Sequence, residues 1–97
     1  MILVGDDGGI LHALERASGR EIWRYAAGGS IKSTPLVDSG CVLISAHDGA
    51  LHALDLPTGN RIGRYPIGSP IAAAPAMSGD TLFVGTHDGR VVALRLR

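Results

Sequence analysis

The glycines of this chain recur at a fixed spacing, which limits the possible fold more strongly than any local preference does. Gly9, Gly49 and Gly89 stand at a constant offset of 40 in residue number. Sliding the chain by that offset superposes 57 positions without a gap, and 19 of them are identical. Roughly 4 identities are expected by chance at average composition. A period near 40 predicts an array of supersecondary units, either paired helices or propeller blades of four strands.

The segments between the turn signals favour strands. They are about 5 to 7 residues long and rich in Val, Ile, Leu and Tyr, which is typical of strands and too short for helices. Within the complete repeat, strands are predicted near 31–37, 41–46, 50–55 and 60–65. The repeat is therefore predicted to be four antiparallel strands, flanked by two three-strand pieces near 2–25 and 71–96.

Asp-Gly pairs predict the hairpins of each unit. Asp48-Gly49 and its repeat Asp88-Gly89 predict two-residue turns with positive φ at both central positions, which Gly tolerates freely and Asp better than most residues. The segment 6–9 is expected to form the same turn in a variant form. Because antiparallel strands alternate in direction, these turns are predicted to share one rim with the links 26–30 and 66–70.

That rim displays oxygen and imidazole groups of a kind that can ligate a cation. They belong to Asp6, Asp7, His47, Asp48, His87 and Asp88. Equivalent turns on adjacent blades are expected to lie too far apart to share one ion, whose ligands sit within about 2.0 to 2.6 Å. Turn formation is therefore the favoured interpretation of these residues.

The run from Ala13 to Trp23 resembles the tryptophan-docking motif of pyrroloquinoline-quinone-type (PQQ-like) propeller repeats, in which Ala, Asp, Thr-Gly and Trp recur at this spacing. The second copy matches it except that Gly63 stands where Trp would be, and the third copy stops after Ala93 and Leu94. The predicted structural repeat motif comprises Ala13, Gly19, Trp23, Asp48, Gly49, Ala53, Asp55, Thr58, Gly59, Asp88, Gly89 and Ala93.

The resemblance implies an all-β fold made of four-stranded antiparallel blades of a PQQ-like β-propeller. Eight blades of this period would need roughly 320 residues, so 97 residues correspond to about two and a half blades that cannot close a ring alone. The chain is predicted to be a single repeat domain, 1–97. It divides into a partial blade at 1–30, a complete blade at 31–70 and a partial blade at 71–97.

Several residues are expected to serve packing. Small side chains at Ala13, Ala53 and Ala93 would let neighbouring sheets approach to roughly 10 Å. Trp23 is predicted to lie between its own blade and the next, with its indole N–H reaching a backbone carbonyl; a binding pocket is the alternative. His12 and His52 occupy equivalent positions on the third strand, where a structural role is favoured over a ligand role.

Net charge and the lengths of the apolar runs argue against nucleic acid and a membrane span. Nine basic and nine acidic residues give a formal net charge of zero, which leaves no electrostatic signal for nucleic acid. No apolar run approaches the roughly 20 residues of a membrane span. Four arginines are predicted on the outermost strands, where charge protects an open edge; a basic patch for an anion is the alternative. They are Arg20, Arg24, Arg61 and Arg64.

Catalysis finds no support in the motifs. Quinoprotein dehydrogenases, as a family, hold calcium through an acidic residue and an Asn, use an Asp base, and clamp the quinone beneath a disulfide of adjacent cysteines. This chain has a single Cys41, which excludes an intramolecular disulfide, and a single Asn60, expected on an edge strand. No nucleophile motif or phosphate loop occurs. We expect no catalytic, cofactor-binding or metal-binding residues.

These observations leave two classes of function. The first is a non-catalytic scaffold or protein-interaction module, completed by further blades in cis, by self-association or by a protein partner, because a blade buries both faces only between neighbours. The second is a fragment of a PQQ-dependent dehydrogenase whose quinone and calcium residues lie outside these 97 positions. An accessory propeller of a larger enzyme, such as an acyl-activating enzyme or a bacterial kinase, is a further alternative.

Overall fold

The structure is a computed structural model that describes residues 1–31, 34–69, 71 and 75–95. In these residues the fold is all-β, with no helix, and the strands form three antiparallel sheets. The sheets follow one another along the chain, and no strand crosses from one to another. The predicted four-stranded antiparallel blade is the middle sheet.

The strands are short and each sheet is built from neighbours in sequence. The first sheet has the order β1 (Ile2–Gly5), β2 (Ile10–Leu14), β3 (Glu21–Ala26). The second has the order β4 (Leu36–Asp38), β5 (Cys41–Ser45), β6 (Ala50–Asp55), β7 (Arg61–Pro66). The third pairs β8 (Ala76–Ser78), β9 (Thr81–Gly85) and β10 (Val91–Arg95), with β9 in the centre.

One predicted strand of the middle sheet is wrong, and the other three lie within one residue of their predicted bounds. The strand predicted at 31–37 is observed at Leu36–Asp38; 31, 34 and 35 are not in a strand, and 32 and 33 lie outside the described residues. Ile31 is buried between the first and second sheets, and its N–H donates to the carbonyl of Asp6 at 3.1 Å. Ile31 therefore serves as a core anchor of the link between sheets, and Pro35 has no N–H to donate to a ladder.

The repeat extends to an irregularity in the strand pairing. The ladder between β2 and β3 shifts register between Ala13 and Leu14, and the ladder between β6 and β7 shifts between Ala53 and Leu54. A shift of this kind accommodates one extra residue on the outer strand and increases its twist. The two outer strands therefore bend at the same place.

Two hydrophobic cores separate the three sheets. The first core includes Leu11, Val42 and Leu54, and lies between the first and second sheets. The second core includes Leu43 and Leu82, and lies between the second and third sheets. Side chains alternate between the two faces of a strand, so the middle sheet contributes one face to each core. Each fully buried leucine contributes roughly 1.5 to 3 kcal/mol.

The hairpin predicted at Asp48-Gly49 has a different form. The Gly49 N–H donates to the carbonyl of Ala46, and the Ala46 N–H to the carbonyl of Ala50, each at 3.2 Å. These bonds enclose a three-residue loop, 47–49, in which Gly49 alone has positive φ, at 83°. The predicted positive φ at Asp48 is therefore wrong, and so is that at Asp88, since its turn has positive φ at Gly89 alone. A two-residue turn with positive φ at both positions lies instead at 39–40, with φ of 51° and 78°.

Candidate functional site

Trp23 of β3 packs on the turn between β6 and β7 of the next sheet. Its indole Nε1–H donates to the carbonyl of Leu56 at 2.9 Å, a contact of the kind predicted from the sequence. A Cβ placed on Gly59 would lie 2.4 Å from Cδ2 of Trp23. The ring therefore lies directly against Gly59, and any side chain at this position would displace it.

Polar side chains shape the turn that receives Trp23. Thr58 Oγ1 donates to Asp55 Oδ2 at 2.7 Å, and the Gly59 N–H donates to the carbonyl of Asp55 at 2.7 Å. The first sheet builds the same turn, with Ser18 Oγ donating to Glu15 at 2.7 Å. In both turns the hydroxyl group of this motif is thus bonded to the acidic side chain three positions before it.

The arginines predicted on the outer strands divide into two groups. Arg24 lies on β3, and Arg61 and Arg64 lie on β7, as predicted. Arg20 precedes β3, and Asn60 precedes β7, so both predicted strand positions are wrong. These two residues belong to the tight turns before the strands, whose backbone hydrogen bonds their carbonyls accept.

The links between sheets run along the hairpin turns, as predicted. The Ala27 N–H donates to the carbonyl of Gly9 at 2.8 Å, and the Ile67 N–H donates to the carbonyl of Gly49 at 2.8 Å. The His47 N–H donates to the carbonyl of Ser30 at 2.9 Å. Each link is thereby bonded to the turn of the sheet before it or after it.

Two neighbouring turns also contact each other through their histidine side chains. The rings of His47 and His87, at equivalent positions of adjacent turns, lie edge to face with centroids 5.6 Å apart. The prediction that equivalent turns lie too far apart to share one ion concerns ligand distances, which this ring contact does not test. Within the described ranges, however, no three or more His, Cys, Asp or Glu side chains are grouped so as to hold a metal ion.

His52 is buried between the first and second sheets and joins them. Its Nε2 lies 3.1 Å from Asp48 Oδ2, and its Nδ1 lies 2.8 Å from the hydroxyl of Tyr25 on β3. An ionised carboxylate only accepts, so Nε2 carries a proton and donates to Asp48. In the neutral ring, which burial favours, Nδ1 accepts from the Tyr25 hydroxyl. Burial lowers the pKa of His52 below the ordinary value near 6.5, against the opposing effect of Asp48.

His12 occupies the equivalent position of the first sheet and has a different outer partner. Its Nε2 lies 2.9 Å from Asp6 Oδ2, and its Nδ1 lies 2.9 Å from Glu21 Oε1. With a carboxylate within hydrogen-bond distance of each nitrogen, the surroundings favour the doubly protonated, cationic ring, in which both nitrogens donate. The hydrogen bonds to Asp6 and Glu21 raise the pKa of His12 above its ordinary value.

The outer sides of the first and third sheets face away from the two cores. We call the outer side of the first sheet the N-face, formed by Ile2, Val4, His12, Leu14 and Ile22. We call the outer side of the third sheet the C-face, formed by Phe83, Val91 and Ala93. Val91 is 76% exposed and Phe83 39% exposed, whereas the residues 40 positions earlier, Leu51 and Leu43, are 0% and 1% exposed.

A family model described as outer membrane protein assembly factor BamB matches residues 1–97. The chain belongs to this family. The relationship places the chain among the PQQ-like propellers, as the sequence resemblance predicted. No curated protein matches the chain. Among the described residues, no helix has the length and apolar character needed to cross a membrane.

Solved structures show the same fold. BamB from Moraxella catarrhalis matches 97% of the chain with a TM-score of 0.83 and 25% identity. Quinohemoprotein alcohol dehydrogenase ADHIIG from Pseudomonas putida HK5 matches 98% with a TM-score of 0.87 and 21% identity. The computationally designed Ika4 protein matches 98% with a TM-score of 0.81 and 18% identity.

The chain spans only part of each of these structures. It covers 28% of the BamB chain, 17% of the dehydrogenase chain and 59% of the designed chain. The three sheets therefore correspond to a partial propeller, consistent with their open arrangement.

Proposed function

We propose that this chain is a non-catalytic segment of a PQQ-like propeller that serves as a protein-binding scaffold, with further blades covering its N-face and C-face. Those blades come from the same polypeptide or from another copy of the chain. The exposure of the C-face carries the proposal, because the equivalent residues of the middle sheet are buried wherever a neighbouring sheet is present.

The energetic reason is the apolar area left in water. Val91 and Phe83 occupy the same repeat positions as Leu51 and Leu43. Both of those leucines belong to the second core. Burying an apolar side chain of this size contributes about 1.5 to 3 kcal/mol. Covering both outer faces therefore stabilises the array, as the capping units of repeat proteins do.

The use of the polar side chains also supports a scaffold. Asp55 and Thr58 shape a turn, Asp48 and His52 join two sheets, and Asp88 binds Thr86 and Arg90 within its own turn. The family description, an outer membrane protein assembly factor, supports protein binding as the role of the completed propeller.

The solution mass tests the stacking part of this proposal. Light scattering across a hundredfold concentration range is expected to show self-association that rises with concentration. Val91→Asp is expected to weaken it, because a charge on the C-face opposes burial. Ala17→Asp, in the exposed turn before β3, is the matched control and should leave the mass unchanged. A stably folded monomer at every concentration would contradict the proposal.

The proposal assigns no cofactor to this chain. The described residues do not fit the calcium and quinone site that the dehydrogenase resemblance implies, since they provide no cluster of ligating side chains. Addition of PQQ with calcium is therefore expected to give neither saturable binding nor a thermal shift. Both effects together would favour a dehydrogenase segment instead.

A further inference from the structure

The N-face has the residues of an interface that is already formed once in this chain. Ile2, Val4, His12 and Leu14 lie 40 positions before Val42, Ile44, His52 and Leu54. In the second sheet these four residues are at most 1% exposed, because the first sheet covers them. In the first sheet Ile2 and Val4 are 42% and 45% exposed. The internal interface is thus a template for what covers the N-face.

The contact between the histidine Nε2 and an aspartate of its own sheet is already present on the N-face. Asp6 accepts the Ile10 N–H at 2.9 Å through Oδ1 and contacts His12 through Oδ2. Asp48 accepts the Ala50 N–H at 3.0 Å through Oδ1 and contacts His52 through Oδ2. The two aspartates do not occupy equivalent positions of the repeat, yet they make the same pair of contacts. The histidine is therefore held in the same way on both sheets.

The two histidines differ in the partner of their other ring nitrogen, Nδ1. The hydroxyl of Tyr25, on the last strand of the preceding sheet, lies 2.8 Å from Nδ1 of His52 and donates to it when the ring is neutral. Tyr65 stands at the same position of the next outer strand, so both outer strands of this chain carry tyrosine there. On the N-face, the position of this hydroxyl is taken by Glu21 of the same sheet, 2.9 Å from Nδ1 of His12.

We propose that the N-face docks a preceding blade of the same repeat whose last strand carries tyrosine at the Tyr25 position, and that docking replaces Glu21 by this hydroxyl at Nδ1 of His12. The inference rests on the proposed function, which it deepens by naming the partner and its recognition contact. Glu21 is not left unpaired by the exchange, because Arg24 contacts both of its carboxylate oxygens at 2.8 to 3.1 Å.

The exchange moves one proton. A tyrosine hydroxyl donates to Nδ1 only when that nitrogen carries no proton, so His12 changes from a cation to a neutral ring and releases one proton to solvent. The charged groups facing His12 are Asp6 beside it and Glu21 and Arg24 on β3, while Val4 faces it from β1. Docking is therefore expected to strengthen with pH, by up to tenfold per pH unit below the pKa of His12.

The test adds a preceding blade to the full chain. A copy of residues 31–80 joined ahead of Met1 keeps the repeat in register across the junction and supplies a last strand with its own Tyr65. Docking is read from slower amide exchange in β1, β2 and β3. The state of His12 is read from its NMR titration, assigned with His12→Gln. The matched control carries Tyr65→Phe in the added copy only.

We expect slower amide hydrogen exchange in β1, β2 and β3. We also expect the pKa of His12 to move from above its ordinary value in the original chain to below it in the extended chain. The Tyr65→Phe copy should still dock but leave the pKa higher. If exchange slows while the pKa stays high, or if the Phe copy behaves like the Tyr copy, this inference is wrong and the proposed function stands. If exchange does not slow, both are wrong.

Discussion

Replacing Gly59 by alanine should disrupt the packing of Trp23, in the first sheet, on the turn of the second sheet. Two costs arise at this position. The φ of 74° strains any residue with a Cβ, at about 1 to 2 kcal/mol. The new methyl would also lie 2.4 Å from Trp23, so the indole must leave its place.

Gly19 separates these two costs, because it is the equivalent residue of the first sheet. Its φ is 72°, but a Cβ there meets nothing within 4 Å. Gly19→Ala should therefore cost only the strain, about 1 to 2 kcal/mol. Gly59→Ala adds the lost indole hydrogen bond, about 0.5 to 1.5 kcal/mol, and the packing of a partly buried ring. We expect a total of about 3 to 4 kcal/mol.

Urea denaturation followed by far-ultraviolet circular dichroism measures these differences without relying on the tryptophan signal. A double-mutant cycle completes the test. In a Trp23→Ala background, Gly59→Ala should cost no more than Gly19→Ala, because the clash has been removed. Equal costs for the two glycine variants in the parent chain, or an unchanged cost of Gly59→Ala without the tryptophan, would refute the reasoning.

Other predictions follow from single contacts. Tyr25→Phe removes the hydroxyl that contacts buried His52 and should lower the free energy of unfolding, measured by urea denaturation, by about 1 to 3 kcal/mol. Tyr65→Phe should change it by no more than about 0.5 kcal/mol, since the Tyr65 hydroxyl has no hydrogen bond among the described residues. Burial lowers the pKa of His52, so its contribution to stability is present above pH 6.5 and falls as the pH drops toward the folded pKa; His52→Gln should flatten that acid-side loss. Hydrogen bonds to carboxylates raise the pKa of His12, so its contribution is complete below pH 6.5 and is lost as the pH rises through the folded pKa; a titration of stability with His12→Gln checks this sign. Ser39→Gly relieves a φ of 51° and should raise the free energy of unfolding by about 0.5 kcal/mol, seen as a higher urea midpoint; a lower midpoint would contradict that strain.

The period of the sequence, together with the short apolar segments, predicted the fold because the structural elements repeat with the same spacing as the residues. Turns, strands and the register shifts before Leu14 and Leu54 all repeat with it. The first strand of the middle sheet was predicted to begin too early, because Ile31 serves a core rather than a ladder. Hydrophobic pattern alone does not distinguish those two uses.

The surroundings of the histidine side chains could not be predicted from the sequence. His12 and His52 occupy the same repeat position, yet the pKa of one is raised and that of the other lowered. The difference depends on whether a neighbouring sheet covers the ring and brings a tyrosine to it. The approach of His47 to His87 is a contact between side chains of different turns, which no local motif encodes.

The N-face and the C-face are opposite sides of the same kind of sheet, and this has a consequence for symmetry. Contact between them joins unlike surfaces, so it is heterologous and turns each added unit in the same sense. Such contacts do not end with a twofold pair of identical faces. They either return to the starting unit as a closed ring or continue as an open fibre. The twist between successive sheets, rather than the strength of any one contact, therefore decides between a finite assembly and an aggregate.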